Sequence, residues 1–142
     1  MVPGVSYELP VEYGKIREFA VATQATDEAY RSTNPVIPPT FLTTGRLVWE
    51  PPEENRTDAL DFDLRRILHG EEEFVFHGSL PRAGQTLTVT TRIDATWEKR
   101  GRRGGAMRFA RIVNEFRDEH GALVAEQFTT VLETARPPEE SA

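Results

Sequence analysis

The second half of the chain consists of long strand-like runs separated by short turns, one of them alternating strictly between apolar and polar residues, and few folds accommodate that pattern. Thr86 to Trp97 shows it most clearly. Leu87, Val89, Ile93, Ala95 and Trp97 fall on one side of an extended strand, with Thr88, Thr90, Arg92, Asp94 and Thr96 on the other, because successive side chains of a strand point to opposite faces. Lys99 to Gly105 (KRGRRGG) reads as a hairpin tip, with glycine supplying the positive-φ positions. Ala106 to Arg117 reads as the next strand, Asp118 to Gly121 (DEHG) as a turn and Ala122 to Thr134 as the last strand. Glu73 to Leu80, closed by the turn Pro81 to Gly84, precedes them as the first of the series.

The first half carries a different period. From Glu12 to Ala25, Ile16, Phe19 and Ala20 recur at helical spacing, while Lys15, Arg17 and Glu18 face water, which predicts an amphipathic helix. Polar and proline-rich sequence follows to Pro39. A second helix is expected to start at Pro39 or Thr40, since proline is tolerated at a first helical position. The mostly uncharged stretch Thr40 to Trp49 suits a buried central helix, although its Thr and Val content leaves a strand reading open. Glu50 to Asp58 reads as a polar loop, and Leu60 to Leu68 as a short helical or irregular approach to the strands. One or two helices followed by a run of antiparallel strands describe an α+β domain in which a sheet wraps a helix. The 142 residues suit one domain, placed at residues 1–135, with a disordered tail at 136–142.

Composition removes several functional classes. The net charge of −6 argues against nucleic-acid binding, which needs basic residues to neutralise phosphates. With no cysteine, disulfides, thiolate nucleophiles and cysteine-based metal sites are excluded. The opening MVPGVSYELP has no basic segment followed by an apolar run, so it is not expected to be a secretion signal. The longest apolar runs are far short of a membrane span. A cytoplasmic protein that binds neither membrane nor nucleic acid is the expectation.

With the elements in this order, four stretches resemble the MaoC-like (R)-specific enoyl hydratases and 3-hydroxyacyl dehydratases, and within them the FAS1-like, or N-terminal MaoC, dehydratase domain. Lys15 to Gln24 resembles that family's opening helix, and Pro38-Pro39-Thr40-Phe41 the start of its central helix. Leu68 to Phe74, and Pro81 to Gly84 with Leu87, resemble its first long strand and turn. The resemblance covers roughly Tyr7 to Ala135 and implies a hot-dog fold, an antiparallel sheet wrapped around a central helix. It implies action on 3-hydroxyacyl or trans-2-enoyl thioesters of coenzyme A or acyl carrier protein, without a cofactor.

Active members carry an Asp, and a His five residues later, in the turn after the first helix. Acid–base groups there exchange the Cα proton and activate water for attack at Cβ, while a backbone N–H at the head of the central helix stabilises the developing enolate. The resemblance puts Ala25 in the place of the Asp and Tyr30 in that of the His. Neither can do the work, and Asp27 has no His at a useful distance after it. The resemblance therefore implies a non-catalytic hot-dog subunit. It would shape the substrate site with Pro39, Thr40, Phe41, His69 and Tyr30, and pair with a catalytic MaoC-like subunit or with itself. The alternative is a stand-alone acyl-thioester-binding protein or thioesterase, although Thr40 to Trp49 carries no acid to activate water.

Several residues admit a plainer reading. His69 either lines the substrate site or fixes a turn at a strand entry, while His77 and His120 read as surface or structural. Tyr30 and Asp27 either border a pocket or hold a loop. Lys99, Arg100, Arg102 and Arg103 either meet the phosphates or acidic surface of the thioester carrier or form a solvated tip. Glu71, Glu72 and Glu73 are not expected to bind a metal, because consecutive strand carboxylates point to opposite faces, and the same expectation covers Glu53 and Glu54.

Overall fold

The computed structural model describes residues 5–52, 59–102 and 105–135. Five strands form a single antiparallel sheet: β1 (Val5–Pro10), β2 (Ile67–Phe76), β3 (Thr86–Arg100), β4 (Ala106–Arg117) and β5 (Leu123–Glu133). Their spatial order is β1-β3-β4-β5-β2, so β1 and β2 stand at the two edges. Helix α1 (Tyr13–Ala22) and the segment after it cover one face. Ile16 of α1 and Ile37, Phe41 and Leu42 pack there against Leu9, Leu87, Val89, Phe116 and Ala125. A smaller apolar cluster of Leu60, Ala110, Ile112 and Val131 lies toward the other end of the sheet, with Phe62, Ile67 and Ile93 against it.

Each of the three strands expected after Thr86 is present, but the first half departs from expectation in several places. Val5–Pro10, for which the sequence alone predicts no element, is a strand with alternating burial, paired along its length with β3. α1 ends at Ala22 rather than Ala25, where Thr23 turns its hydroxyl back onto Phe19 O at 2.8 Å and Gln24 takes a left-handed φ of 57°. β2 begins at Ile67 and ends at Phe76, earlier than the expected Glu73 to Leu80, after one 3-10 turn at Leu64–Arg66. The expected tail at 136–142 and much of the polar loop at 50–58 lie outside the described residues.

The expected central helix is shorter and only half buried. Residues 39–42 form turns, helix starts at 43, and Gly45–Trp49 winds as a π-helical turn. Phe41, Leu42 and Thr44 are buried, whereas Leu47, Val48 and Trp49 are 77%, 53% and 36% exposed. Gly45 lets this segment approach β1 closely, since a Cβ there would lie 3.1 Å from Tyr7 Oη and 3.4 Å from Leu9 Cδ2.

A β-bulge overturns part of the expected alternation in β3. Ile93 pairs with Ile112 and Ala95 with Arg111, leaving Asp94 as an extra residue. One extra residue exchanges the two faces for everything beyond it. Ala95 and Trp97 therefore leave the Leu87–Val89 face for the outer one, where Trp97 stacks on Phe109 with ring centroids 5.3 Å apart.

Three carboxylates held by arginines predict how stability responds to acid. Glu133 is buried and accepts from Arg108 Nε at 2.8 Å and from Asp63 N at 2.6 Å; the Arg108 bond leads in holding its pKa down. Asp94 is lowered by hydrogen bonds from Arg92 and then Arg111, and Asp63 to about 2 by that from Arg65. A carboxyl whose folded pKa is depressed contributes stability above its unfolded pKa, near ~4, and loses it as pH falls through the folded value. The urea midpoint should be flat near neutrality and fall between pH ~4 and ~2. Glu133→Gln should be less stable at neutral pH and show a shallower acid loss.

Candidate functional site

A band of polar side chains crosses the helix-covered face of the sheet between the two apolar clusters. Thr91 of β3 pairs with Asn114 of β4, Asn114 with Gln127 of β5, and Thr129 of β5 with Glu72 of β2, so all of these project from the same face. Thr91, Asn114, Gln127 and Thr129 are buried. Their hydrogen bonds run one way. Thr91 Oγ1 donates to Asn114 Oδ1 at 2.7 Å, and Asn114 Nδ2 to Gln127 Oε1 at 3.0 Å. Gln127 Nε2 and Thr129 Oγ1 both donate to Glu72 Oε1, the latter at 3.1 Å. His69 Nε2 lies 2.7 Å from the other oxygen, Glu72 Oε2.

The pairing of His69 with Glu72 depends on a second bulge. Residues three apart on a regular strand point to opposite faces. In β2 the register shifts between His69 and Glu71, which makes Gly70 an extra residue and brings His69 round to the Glu72 side. Position 70 is also tight, since a Cβ would meet Leu132 Cδ2 and Thr130 O at 3.3 Å each.

An ionised carboxylate only accepts hydrogen bonds, so a neutral His69 must carry its proton on Nε2 to bond Glu72. A satisfied polar network is strong in a low-dielectric interior, but every missing partner there is costly. Apolar side chains would fill the middle of a sheet at less risk, so the band marks a candidate site. It floors a cleft of about 510 Å³ whose lining also includes Arg46, Leu47, Glu50 and His69. Arg46 Nε lies 3.7 Å from Glu50 Oε2.

Of the residues expected to contact substrate, His69 lines this cleft; Tyr30, Pro39, Thr40 and Phe41 do not. Phe41 is fully buried, with its ring edge-on to Phe19 at 5.6 Å, so its side chain is a core element. Pro39 and Thr40 are exposed. Tyr30 closes a short 3-10 turn, Glu28–Tyr30, half-buried against the main core. Asp27 spends its carboxylate on that turn, accepting from Ala29 N at 2.8 Å, and Ala25 N bonds Ala20 O.

Arg100 ends β3 and Arg102 is exposed in the tip; Arg103 lies outside the described residues. Beside them, Lys99 Nζ sits 5.4 Å from the Phe109 ring centre. His77 bonds Glu126 at 2.8 Å, and His120 sits in the turn before β5. Glu71 faces away from Glu72, and among the described residues no three acidic or His side chains are grouped to hold a metal ion; Glu53 and Glu54 are outside them. No described helix is long and apolar enough to cross a membrane.

Sequence reasoning missed Glu72, Thr91, Asn114, Gln127 and Thr129. The available signal was a polar residue at an inward position, as with Asn114 between Ile112 and Phe116.

Residues 4–127 match the profile of a family described as "FAS1-like, dehydratase domain region". Among solved structures, the chain is similar to the HadBC (3R-hydroxyacyl-ACP dehydratase) complex of Mycobacterium tuberculosis, with TM-score 0.70, 22% identity and coverage of 93% of this chain and 97% of that one. It is also similar to the ChsH1-ChsH2 complex of the same organism, with TM-score 0.73, 16% identity and coverage of 98% and 87%. A MaoC-like dehydratase gives TM-score 0.74 at 21% identity, covering 93% of this chain but 41% of that one. No curated protein sequence matches significantly. At these identities the structural likeness speaks for the fold, which is α+β of the hot-dog type.

Proposed function

Because the chain belongs to the FAS1-like dehydratase domain family, we propose that it is the substrate-shaping subunit of a heteromeric MaoC-like hydro-lyase whose Asp/His pair comes from a partner hot-dog subunit. Its substrates would be 3-hydroxyacyl or trans-2-enoyl thioesters of coenzyme A or acyl carrier protein. The carrying observation is the turn after α1. Ala25 offers no proton to exchange there, Tyr30 is packed against the core, and Asp27 is spent on its own cap. Hydration of an enoyl thioester needs a positioned acid and base, and this turn supplies neither.

Two further features favour a partner. β1 and β2 are edge strands, whose free N–H and C=O groups invite pairing, and Leu47, Val48, Trp49 and Leu68 leave apolar surface exposed. The names of the HadBC and ChsH1-ChsH2 structures describe complexes. A homodimer or a poorly soluble chain is the expected form when no catalytic partner is present.

The purified chain should hydrate crotonyl and longer enoyl thioesters no faster than buffer, and turnover should appear on adding an Asp/His-bearing MaoC-like subunit. Turnover by the chain alone that Asp27→Asn abolishes would overturn this reading. Hydrolysis of saturated acyl thioesters without a partner would favour the stand-alone thioesterase instead. Size-exclusion chromatography with light scattering gives an independent check, and a stable monomer at micromolar concentration would count against the assembly.

A further inference from the structure

We propose that the cleft over the polar band is a carboxamide site, in which the side-chain N–H groups of Asn114 and Gln127 receive an amide carbonyl of the ligand. In a thioester ligand that amide comes from the arm common to coenzyme A and acyl carrier protein, or from the acyl chain itself. The thioester is taken from the function proposed above; the preference for an amide rests on the cleft alone.

The direction of the band is fixed from its Glu72 end. A carboxylate only accepts, so Gln127 turns its NH2 to Glu72 and its Oε1 to Asn114. Asn114 then presents its NH2 to Gln127 and its Oδ1 to Thr91. Each NH2 carries two N–H groups and spends one on its neighbour; among the described residues nothing takes the second. Both side chains are buried and both line the cleft, so the cleft is where a partner for that N–H sits. Arg46, also on the lining, adds donors of the same sense.

A carbonyl oxygen, with two lone pairs and no proton, complements such donors. Charge decides against an anion. The lining holds the carboxylates of Glu50 and Glu72 against the one guanidinium of Arg46, and even a protonated His69 would only bring it to neutrality. Among neutral groups an amide continues the pattern by which Asn114 and Gln127 already bind each other, and its N–H can use the lone pair that Asn114 Oδ1 or Gln127 Oε1 still has. An alkyl segment in that place would strip water from polar groups without replacing its hydrogen bonds, which is unfavourable. The cleft volume of about 510 Å³ lies within the range of small-ligand sites, and Leu47 and Ile112 on its lining give the methylenes of the ligand an apolar surface.

The test is NMR titration of the isotope-labelled full chain, read at the side-chain NH2 resonances of Asn114 and Gln127. Butanoyl-N-acetylcysteamine carries one amide on the thiol side, and S-pentyl thiobutanoate replaces that amide with methylenes. The S-methyl thioester of N-acetyl-4-aminobutanoate carries the amide in the acyl chain, and N-butylacetamide has no thioester. An amide-bearing thioester should shift both NH2 pairs and bind roughly 2–10-fold tighter than the alkyl one, the worth of one neutral hydrogen bond. Gln127→Met should remove that gain; if the variant does not fold, the resonances of the unaltered chain still decide.

A response to the N-acetylcysteamine thioester assigns the site to the carrier arm, and a response to the aminobutanoate thioester alone assigns it to the acyl chain. Shifts with N-butylacetamide but with neither amide thioester would keep the carboxamide site and count against the thioester reading. Equal binding of the amide and alkyl thioesters, NH2 resonances that none of the four ligands moves, or a gain that survives in folded Gln127→Met would overturn the proposal.

Discussion

Phe41→Ala is expected to lower the free energy of unfolding by about 3–5 kcal/mol, the usual cost of emptying a buried aromatic site. The ring has no exposed surface, lies edge-on to Phe19 of α1 with planes at 79°, and belongs to the cluster that joins the covering segments to β1, β3 and β4. Such an aromatic pair adds to the energy of area burial alone. The site cannot collapse to refill the space. Gly45, four residues on, already leaves no room for a Cβ between itself and Tyr7 Oη, so the segment has little room to move inward. Leu47→Ala is the control, since its side chain is mostly exposed and the change should stay within ~0.5 kcal/mol. Urea titrations with a common slope would measure both. A loss below ~1 kcal/mol for Phe41→Ala would mean that the segment does not pack as described.

The second large effect comes from exchanging one NH2 group for an oxygen. Asn114→Asp keeps size and shape but replaces the group that donates to Gln127 Oε1 with an acceptor, and it buries a charge on the same band as Glu72. Desolvation and the facing carbonyl would raise the new carboxyl's pKa by about three units or more. Each unit is worth 1.36 kcal/mol, and protonation from solution limits the cost. At pH 7 the loss is therefore about 4 kcal/mol. The sign is opposite to that of Glu133. A carboxyl whose folded pKa lies above its unfolded value destabilises at high pH, and the penalty fades as pH falls toward the unfolded value. The variant should thus gain stability from pH 7 to ~5, where the parent chain is flat. A variant midpoint that does not change with pH over that window would show that position 114 is solvated.

What could be read from the sequence depended on how far apart the informative residues lie. β3, β4 and β5 announce themselves, β3 by its alternation and all three by the Gly-containing turns that separate them. β1 does not: six residues with three inward positions make a weak period, and only its pairing with β3 makes it a strand. The segment after Pro39 was read as buried for its lack of charge, yet Leu47, Val48 and Trp49 are exposed. Hydrophobicity shows that a residue is suited to contact and does not say whether the contact lies within the chain. The expectation that Ala25 and Tyr30 stand in place of an Asp/His pair could be argued from the sequence because it concerns one local turn. The polar band could not, since its members come from four strands and become neighbours only through register, and His69 joins them only because Gly70 is inserted. His69 is a candidate on sequence alone, whereas Glu72, considered there only as a metal ligand, gives no sign of being its partner.

The bulge at Asp94 behaves like a frameshift. Before it, odd-numbered residues of β3 belong to the helix side; after it, even-numbered ones do, so Thr96 and Glu98 are inward-sided while Trp97 and Lys99 sit outside with Phe109 and Met107. Deleting that single residue would not shorten a loop. It would remove the bulge and leave residues 95–100 on the faces they already hold, whereas pairing Asp94 regularly with Arg111 would drive Trp97 and Lys99 to the helix side and turn Thr96 and Glu98 outward. Anyone grafting a sequence onto this hairpin, or aligning it with a relative, must therefore count parity from the tip backwards to Ala95 and from β1 forwards to Ile93, as though β3 were two strands that happen to share a backbone.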